Sequence, residues 1–156
     1  MNPKPISRLE DHLGYWLRCL SNFVSDSFAE KLAAQDISVA QWVVLRILFD
    51  HEDLTLHEAA RLVGVDKSSL SRMIDRLVQR ELVTRSEGQS RREIGLNLTP
   101  GARKLVPKLS ALADENDRSF FQCLTAKQRQ VFVETIHHLL RANGWDLSQR
   151  GADRMK

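Results

Sequence analysis

The chain has 156 residues and a formal net charge of +3, from 23 lysines and arginines against 20 aspartates and glutamates. With 28% charged and 42% hydrophobic residues, the composition excludes a disordered chain and predicts a single folded domain over residues 1–156. Its longest apolar runs span only a few residues, so the sequence predicts no membrane span and no signal peptide.

Two helices are predicted in the first third of the chain. From Arg8 to about Ala34, apolar residues recur at steps of three and four, which is typical of a long amphipathic helix. Ser38 is a candidate N-cap for the second helix. Because this second helix is apolar on nearly all sides, we expect it to be central and buried.

The middle of the chain has the order of a helix-turn-helix. Residues 55–58 (Thr-Leu-His-Glu) form a capping-box pattern that begins a short helix, and Gly64 ends it. Asp66 then begins a second amphipathic helix that extends to Glu81. Two amphipathic helices joined by a glycine-containing turn are the pattern of a helix-turn-helix.

A hairpin is predicted directly after these helices. Leu82–Ser86 and Ile94–Leu98 are strand candidates, and the polar residues 87–92 read as the loop between them. A hairpin in this place is the wing of a winged helix, and we assign the winged helix-turn-helix lobe to residues 38–98.

Two further helices complete the chain. Thr99 and Pro100 begin a helix that extends to about Cys123, and we expect Pro107 to bend it or interrupt it. A second capping box at residues 125–128 begins the last helix, which ends at Asn143-Gly144. The chain is therefore predicted to be mainly α-helical, with one hairpin.

The helix after Asp66 carries an unusual exposed face. On a helical wheel Leu70, Ile74 and Leu77 share one side, whereas hydroxyls, arginines and a glutamine occupy the other. Arginine can bind guanine in the major groove and small hydroxyls can bind phosphates. We predict DNA contacts from Lys67, Ser68, Ser69, Ser71, Arg72 and Arg76. Asp75 is expected to orient Arg72 or Arg76, or to accept from a cytosine amine.

The predicted wing adds two cations, Arg91 and Arg92, which we expect to contact the minor groove. Residues 67–92 have a net charge of +4, whereas the first 50 residues have a net charge of −1. The alternatives are an ordinary solvated helix face or a helical dimeric adaptor protein that binds no DNA. We find no nucleophile–base pair or phosphate loop, so no catalytic residue and no enzyme is predicted.

Several stretches together resemble the MarR family of winged-helix transcriptional regulators, over about residues 8–142. They are Ser38–Arg46, Leu54–Ala60, Lys67–Leu77, Glu81–Arg85, Ser90–Arg92 and Leu98–Gly101. One position departs from the family pattern, because Ser90 stands where the family usually has an acidic residue that braces the wing.

The resemblance implies a homodimer built from the helices at 8–34 and 100–142, whose apolar faces exceed what one small lobe can cover. It also implies a repressor that binds double-stranded DNA, at an inverted-repeat operator with half-sites about one helical turn apart. Members of the family are often switched by small aromatic acids or by cysteine oxidation.

Four residues are candidates for an effector pocket between the dimer helices and the winged lobe: His12, Trp16, Trp42 and Arg46. Arg46 is expected to lie in apolar surroundings, where a cation needs an anionic partner. That partner is either a ligand carboxylate or a structural pair with Glu10 or Asp11. Trp16 and Trp42 are alternatively plain core residues.

The remaining reactive side chains predict no cofactor and no metal. Cys19 and Cys123 are too far apart in sequence to indicate a disulfide or metal framework, which favours a reducing cytoplasm. We expect both to be inert core cysteines. The adjacent His137 and His138 point in different directions on a helix and make a poor metal pair.

Overall fold

A computed structural model describes residues 6–87 and 94–144 of the chain. Across these residues it contains six α-helices, a 3₁₀ turn at Leu9–Asp11 and one three-stranded antiparallel sheet. The elements in chain order are α1 (Leu13–Ala33), α2 (Val39–Asp50), β1 (Leu54–Thr55), α3 (Leu56–Val63), α4 (Lys67–Gln79), β2 (Val83–Glu87), β3 (Ile94–Leu98), α5 (Pro100–Phe121) and α6 (Ala126–Ala142). The predicted mainly α fold with a winged helix-turn-helix is confirmed.

Helix starts follow the capping residues in the sequence. An N-cap side chain accepts a hydrogen bond from the backbone N–H three residues later at Ser38, Thr55, Asp66, Thr99 and Thr125. At α3, the N–H and hydroxyl of Thr55 donate in return to Glu58, which lowers the pKa of that carboxyl. These bonds satisfy donors that a helix start otherwise leaves without partners.

Three features of the helices differ from the sequence predictions. The first helix begins at Leu13 rather than Arg8, because the residues before it form the 3₁₀ turn. The helix after Asp66 ends at Gln79, and Glu81 beyond it adopts the left-handed region with φ +55°. A break at Pro107 was the wrong expectation, since α5 continues through it with the loss of one backbone donor.

The sheet contains a strand that the sequence analysis missed. The two-residue strand β1 pairs with β3 through Leu54 opposite Leu96 and Thr55 opposite Gly95. The strand order is β1-β3-β2, so the hairpin β2–β3 is joined at its root to the start of α3.

One hydrophobic core joins α1, α2, α4, α5 and the sheet. The prediction of a buried α2 is confirmed, since three of its apolar side chains have at most 1% of their surface exposed. The largest fully buried side chains lie on these four helices and on the sheet: Leu32, Val44, Leu45, Leu48, Leu70, Ile74, Leu77, Val83, Leu96, Val106 and Leu109. Burial of this apolar area is the dominant favourable term in folding.

Polar contacts fix how α1 packs on α5. Asn116 is buried; its Oδ1 accepts from the Ser27 hydroxyl at 2.8 Å and its Nδ2 donates to the Val24 carbonyl at 3.3 Å. Nearby, Lys31 pairs with Glu115 at 2.9 Å and lowers the pKa of that carboxyl. Because a buried amide is stabilising only when bonded, Asn116 favours one register of the two helices.

The apolar faces of α1 and α6 remain uncovered in the single chain. Helix α6 has no buried residue, and large exposed side chains on the two helices include Leu13, Trp16, Leu17, Phe23, Val131, Val133 and Leu139. The expectation of a core position is therefore wrong for Trp16, and also for Cys123, which is exposed just after α5. Within the described ranges, the structure has no helix both long and apolar enough to cross a membrane.

Candidate nucleic-acid interface

The orientation of α4 is set by its apolar side. Leu70, Ile74 and Leu77 recur at helical spacing and have no exposed surface. Gly64 ends α3 in the left-handed conformation, with φ +78°, and so allows the sharp turn into Asp66 and α4. Because one side of α4 is fixed in the core, its opposite side faces solvent along its whole length.

The structure brings the predicted contacts of α4 onto that outward side. Lys67, Ser68, Arg72 and Arg76 are exposed, while Ser69 and Ser71 are half-buried at its edges. The Arg72 guanidinium lies 3.5 Å from the Ser69 hydroxyl, one turn back along the helix. These six residues are called the α4 face below; the exposed Asp75 lies on the same outward side, between Arg72 and Arg76.

The N-cap residue Asp66 already engages two of the hydroxyls. Its carboxylate accepts from the Ser68 hydroxyl at 2.5 Å, the Ser69 hydroxyl at 2.6 Å and the Ser69 N–H at 2.8 Å. Donation by these groups, the Ser68 hydroxyl first, holds the pKa of Asp66 far below its usual range. Neither hydroxyl can donate to a phosphate in this arrangement unless it leaves Asp66.

Two other arginines near α4, Arg80 and Arg85, form ion pairs. Arg80 pairs with Asp36 at 3.0 Å, and Arg85 on β2 pairs with Asp75 on α4. The expectation that Asp75 orients Arg72 or Arg76 was therefore wrong, because Arg85 reaches it from the wing. Among the described residues, Lys67, Arg72 and Arg76 take part in none of the ion pairs. Their positive charge is left facing solvent.

The wing strands lie beside α4. In β2–β3, Val83 is opposite Leu98, Arg85 opposite Leu96 and Glu87 opposite Ile94. Leu96 and Leu98 are buried in the core, whereas Ile94 is 55% exposed at the outer end. The predicted contacts Arg91 and Arg92, and Ser90 before them, lie outside the described residues.

A polar cluster at the root of the wing was missed by the sequence analysis. Asp53, in the loop before β1, accepts from Asn97 on β3 and from Ser86 on β2. Its backbone has φ +53°, a left-handed conformation that aspartate tolerates better than most residues. In the sequence Asp53 is one acid in a short polar segment, which is too common a pattern to single out.

The four effector candidates have separate, local contacts in the single chain. His12 is at the N-cap position of α1 without a capping hydrogen bond from its side chain, and its ring bonds to the Ser7 hydroxyl. The Trp16 indole donates to the Glu10 carbonyl at 2.9 Å. Trp42 is half-buried with its ring edge against Phe28. Of the two alternatives for Arg46, the structural pair with Glu10 or Asp11 was wrong, because Arg46 pairs with Asp50 one turn along α2. Apolar surroundings were also wrong, since its side chain is 40% exposed.

Two clefts lie elsewhere. One, of about 620 Å³, runs between the end of α1 and α4 and is lined by polar residues that include Asp36, Arg76 and Arg80. The other, of about 610 Å³, is an apolar groove beside α6 lined by Phe120, Phe121, Leu124, Val131 and Phe132 among others. Neither is lined by any of the four candidates.

The cysteines and histidines form no evident reactive centre. Cys19 is half-buried on α1, and the presence of its thiol beside Tyr15 raises the pKa of that phenol. Across residues 6–87 and 94–144, no group of three or more His, Cys, Asp or Glu side chains could hold a metal ion.

Comparison with known proteins places these features in context. A family model described as the MarR family matches residues 37–94. The HTH-type transcriptional repressor MdtR of Bacillus subtilis is 31% identical, in an alignment that covers 90% of this chain and 99% of that protein.

Two solved structures share the fold. The chain is 24% identical to Bordetella bronchiseptica BpsR, with a TM-score of 0.80 over 86% of this chain and 97% of that one. The BpsR study concerns regulation of its DNA binding by 6-hydroxynicotinic acid. It is 22% identical to MepR of S. aureus, solved in complex with DNA, with a TM-score of 0.78 over 84% and 98% of the two chains.

The capping role of Asp66 can be tested through pH. Because the folded-state pKa lies below the ordinary value of 3.8, ionised Asp66 stabilises the fold above that value, and this contribution is lost as the pH falls through the folded-state pKa. We expect Asp66→Ala to lower the thermal unfolding midpoint at neutral pH, with a difference from wild type that narrows in acid. Asp26→Ala, at an exposed acid on α1, is the control; equal losses for both variants would contradict the cap.

Proposed function

Since the chain belongs to the MarR family of transcriptional regulators, whose members bind DNA and are not enzymes, we propose that it is a homodimeric repressor that reads an inverted-repeat operator. The α4 face carries this proposal. Three cations and three hydroxyls lie along one outward side of a helix whose other side is locked in the core. The major groove is wide enough to admit such a helix.

The contacts divide into two kinds. Arg72 and Arg76 are one helical turn apart near the middle of α4, where they face the base edges in our proposal. Lys67 and the serines at the start of the helix would contact the backbone, since helix N-termini favour phosphate. Arg91 and Arg92 would contact the adjacent minor groove from the wing.

A second copy of the chain is the proposed cover for the exposed apolar residues of α1 and α6. The apolar groove of about 610 Å³ beside α6 continues this surface. A helix with no buried residue gains little from folding alone, because packing rather than propensity supplies most helical stability. A two-fold dimer would place two α4 helices in successive major grooves, and thus matches an inverted repeat.

A small aromatic acid is the proposed effector. BpsR, whose fold is similar, is regulated by 6-hydroxynicotinic acid according to its structural study. In this chain the proposed site is formed by His12, Trp16, Trp42 and Arg46 when the dimer brings further residues to them. The ligand carboxylate would replace Asp50 as the partner of Arg46. As a regulator of chromosomal DNA, the protein is proposed to act in the cytoplasm.

Arg72→Ala tests base reading. We expect it to reduce discrimination between the operator and unrelated DNA by about 1–3 kcal/mol, because a bidentate contact to one base is lost. Competition binding with both DNAs measures this. Arg118→Ala, at an exposed arginine on α5, has the same change of charge and should keep full discrimination. Unchanged sequence preference in Arg72→Ala would refute its role.

Arg91→Ala combined with Arg92→Ala tests the wing. The slope of log affinity against log salt should become shallower by about two units, since each lost phosphate contact releases about one counterion fewer. Arg18→Ala with Arg118→Ala, at exposed sites on α1 and α5, is the charge-matched control. Equal slopes for the wing variant and wild type would mean that the wing does not touch DNA.

Leu139→Asp tests the dimer. Leu139 is 47% exposed on α6, so a charge there is tolerated by a single chain but would be buried between two. We expect sedimentation to give twice the chain mass for wild type and the single-chain mass for the variant. Ile94→Asp, at a similarly exposed apolar residue on the wing, should remain dimeric. A monomeric wild-type protein at the concentrations that bind DNA would contradict the proposal.

A further inference from the structure

Asp53 ties the loop before β1 to both strands of the wing. Its carboxylate accepts from Asn97 Nδ2 at 2.5 Å and from the Ser86 hydroxyl at 3.2 Å. Its backbone N–H donates to Asn97 Oδ1 at 3.0 Å, and Asn97 Nδ2 also lies 3.3 Å from the Ser86 hydroxyl. One acidic residue therefore bonds to both strands, through Ser86 on β2 and its diagonal neighbour Asn97 on β3.

Gly95 makes this close approach possible. It lies opposite Ser86 on β2 and opposite Thr55 on β1, between the groups that Asp53 joins. A Cβ at position 95 would lie 2.8 Å from the Ser86 hydroxyl and 3.1 Å from Asp53 Oδ1. Any side chain larger than hydrogen would push the cluster apart, so the glycine and the acid fit each other.

The wing has a second tie on its other side. Arg85 on β2 pairs with Asp75 on α4, so this strand is connected directly to the helix that carries the α4 face. The Asp53 cluster connects the same strand, and β3 with it, to the loop after α2. The Arg85–Asp75 ion pair and the Asp53 hydrogen bonds lie on different sides of the hairpin, so together they restrict its rotation more than either does alone.

We propose that Asp53 is a positioning residue for DNA binding, which sets the direction in which the wing leaves the lobe by holding Ser86 and Asn97. The inference rests on the proposed function, since it concerns how the hairpin that carries Arg91 and Arg92 meets DNA. The sign of the change in DNA affinity when Asp53 is removed tests this role. An acid near DNA repels phosphate, so removing an acid without a positioning role strengthens binding, whereas removing a brace weakens it.

The test compares Asp53→Ala with Glu52→Ala, in the full-length protein and on the same operator DNA. Glu52 is the neighbouring exposed acid and pairs with Arg103 on α5, so both variants lose one negative charge at nearly the same place. We expect Asp53→Ala to bind roughly tenfold more weakly, with a shallower salt slope. Glu52→Ala should bind as well as wild type or better.

Two further variants separate positioning from general stability. Asp53→Asn keeps an oxygen acceptor for Asn97 and a residue type that tolerates positive φ, so it should restore most of the affinity. Gly95→Ala disturbs the cluster without changing charge, and should weaken binding as Asp53→Ala does. In the absence of DNA, amide hydrogen exchange in β2 and β3 should be faster in Asp53→Ala and unchanged in Glu52→Ala.

The outcomes distinguish this inference from the function on which it rests. If wild type binds its operator and Asp53→Ala binds equally well or more tightly, the inference is overturned and the proposed function stands. If wild type binds no DNA at low salt, the proposed function is overturned and the inference with it. Loss of affinity in Asp53→Ala with recovery in Asp53→Asn supports both.

Discussion

Burial of the inner side of α4 is the constraint on which the rest of the structure depends. Leu70, Ile74 and Leu77 are fully enclosed, so α4 cannot rotate about its axis without exposing apolar surface. The direction of Arg72 and Arg76 is thereby fixed by side chains that never meet DNA. A rigid helix presented in this way loses little freedom on binding, which leaves more of the contact energy available for recognition.

Electrostatics then divides the cations near α4 into two groups. Arg80 and Arg85 are paired with Asp36 and Asp75, and they join α4 to the α1–α2 turn and to the wing. Lys67, Arg72 and Arg76 face outward. The net charge of +3 therefore combines two kinds of cation: paired arginines that connect parts of the lobe, and outward ones that we propose attract phosphate. Asp53 adds a connection on the far side of the wing, through hydrogen bonds to Ser86 and Asn97 rather than an ion pair.

The sequence predicted the helices and the buried and exposed sides of α4 because these depend on local spacing and capping. It could not reveal contacts between residues distant along the chain. Asp75 was expected to orient Arg72 or Arg76 on its own helix, yet its partner is Arg85, ten residues further along the chain on β2. Asp53 and Asn97 are 44 residues apart. The exposure of Trp16 and Cys123 was missed because apolar periodicity shows that a face must be covered, but not whether the same chain covers it.

The central claim is that the α4 faces of two chains read DNA sequence together. Selection of bound sites from random double-stranded DNA by the wild-type protein tests it most directly. The account predicts enrichment of an inverted repeat whose half-site centres are about 10 base pairs apart, as two-fold related helices in successive major grooves require. Recovery of DNA without any common sequence, or of a single half-site without its inverted mate, would contradict it.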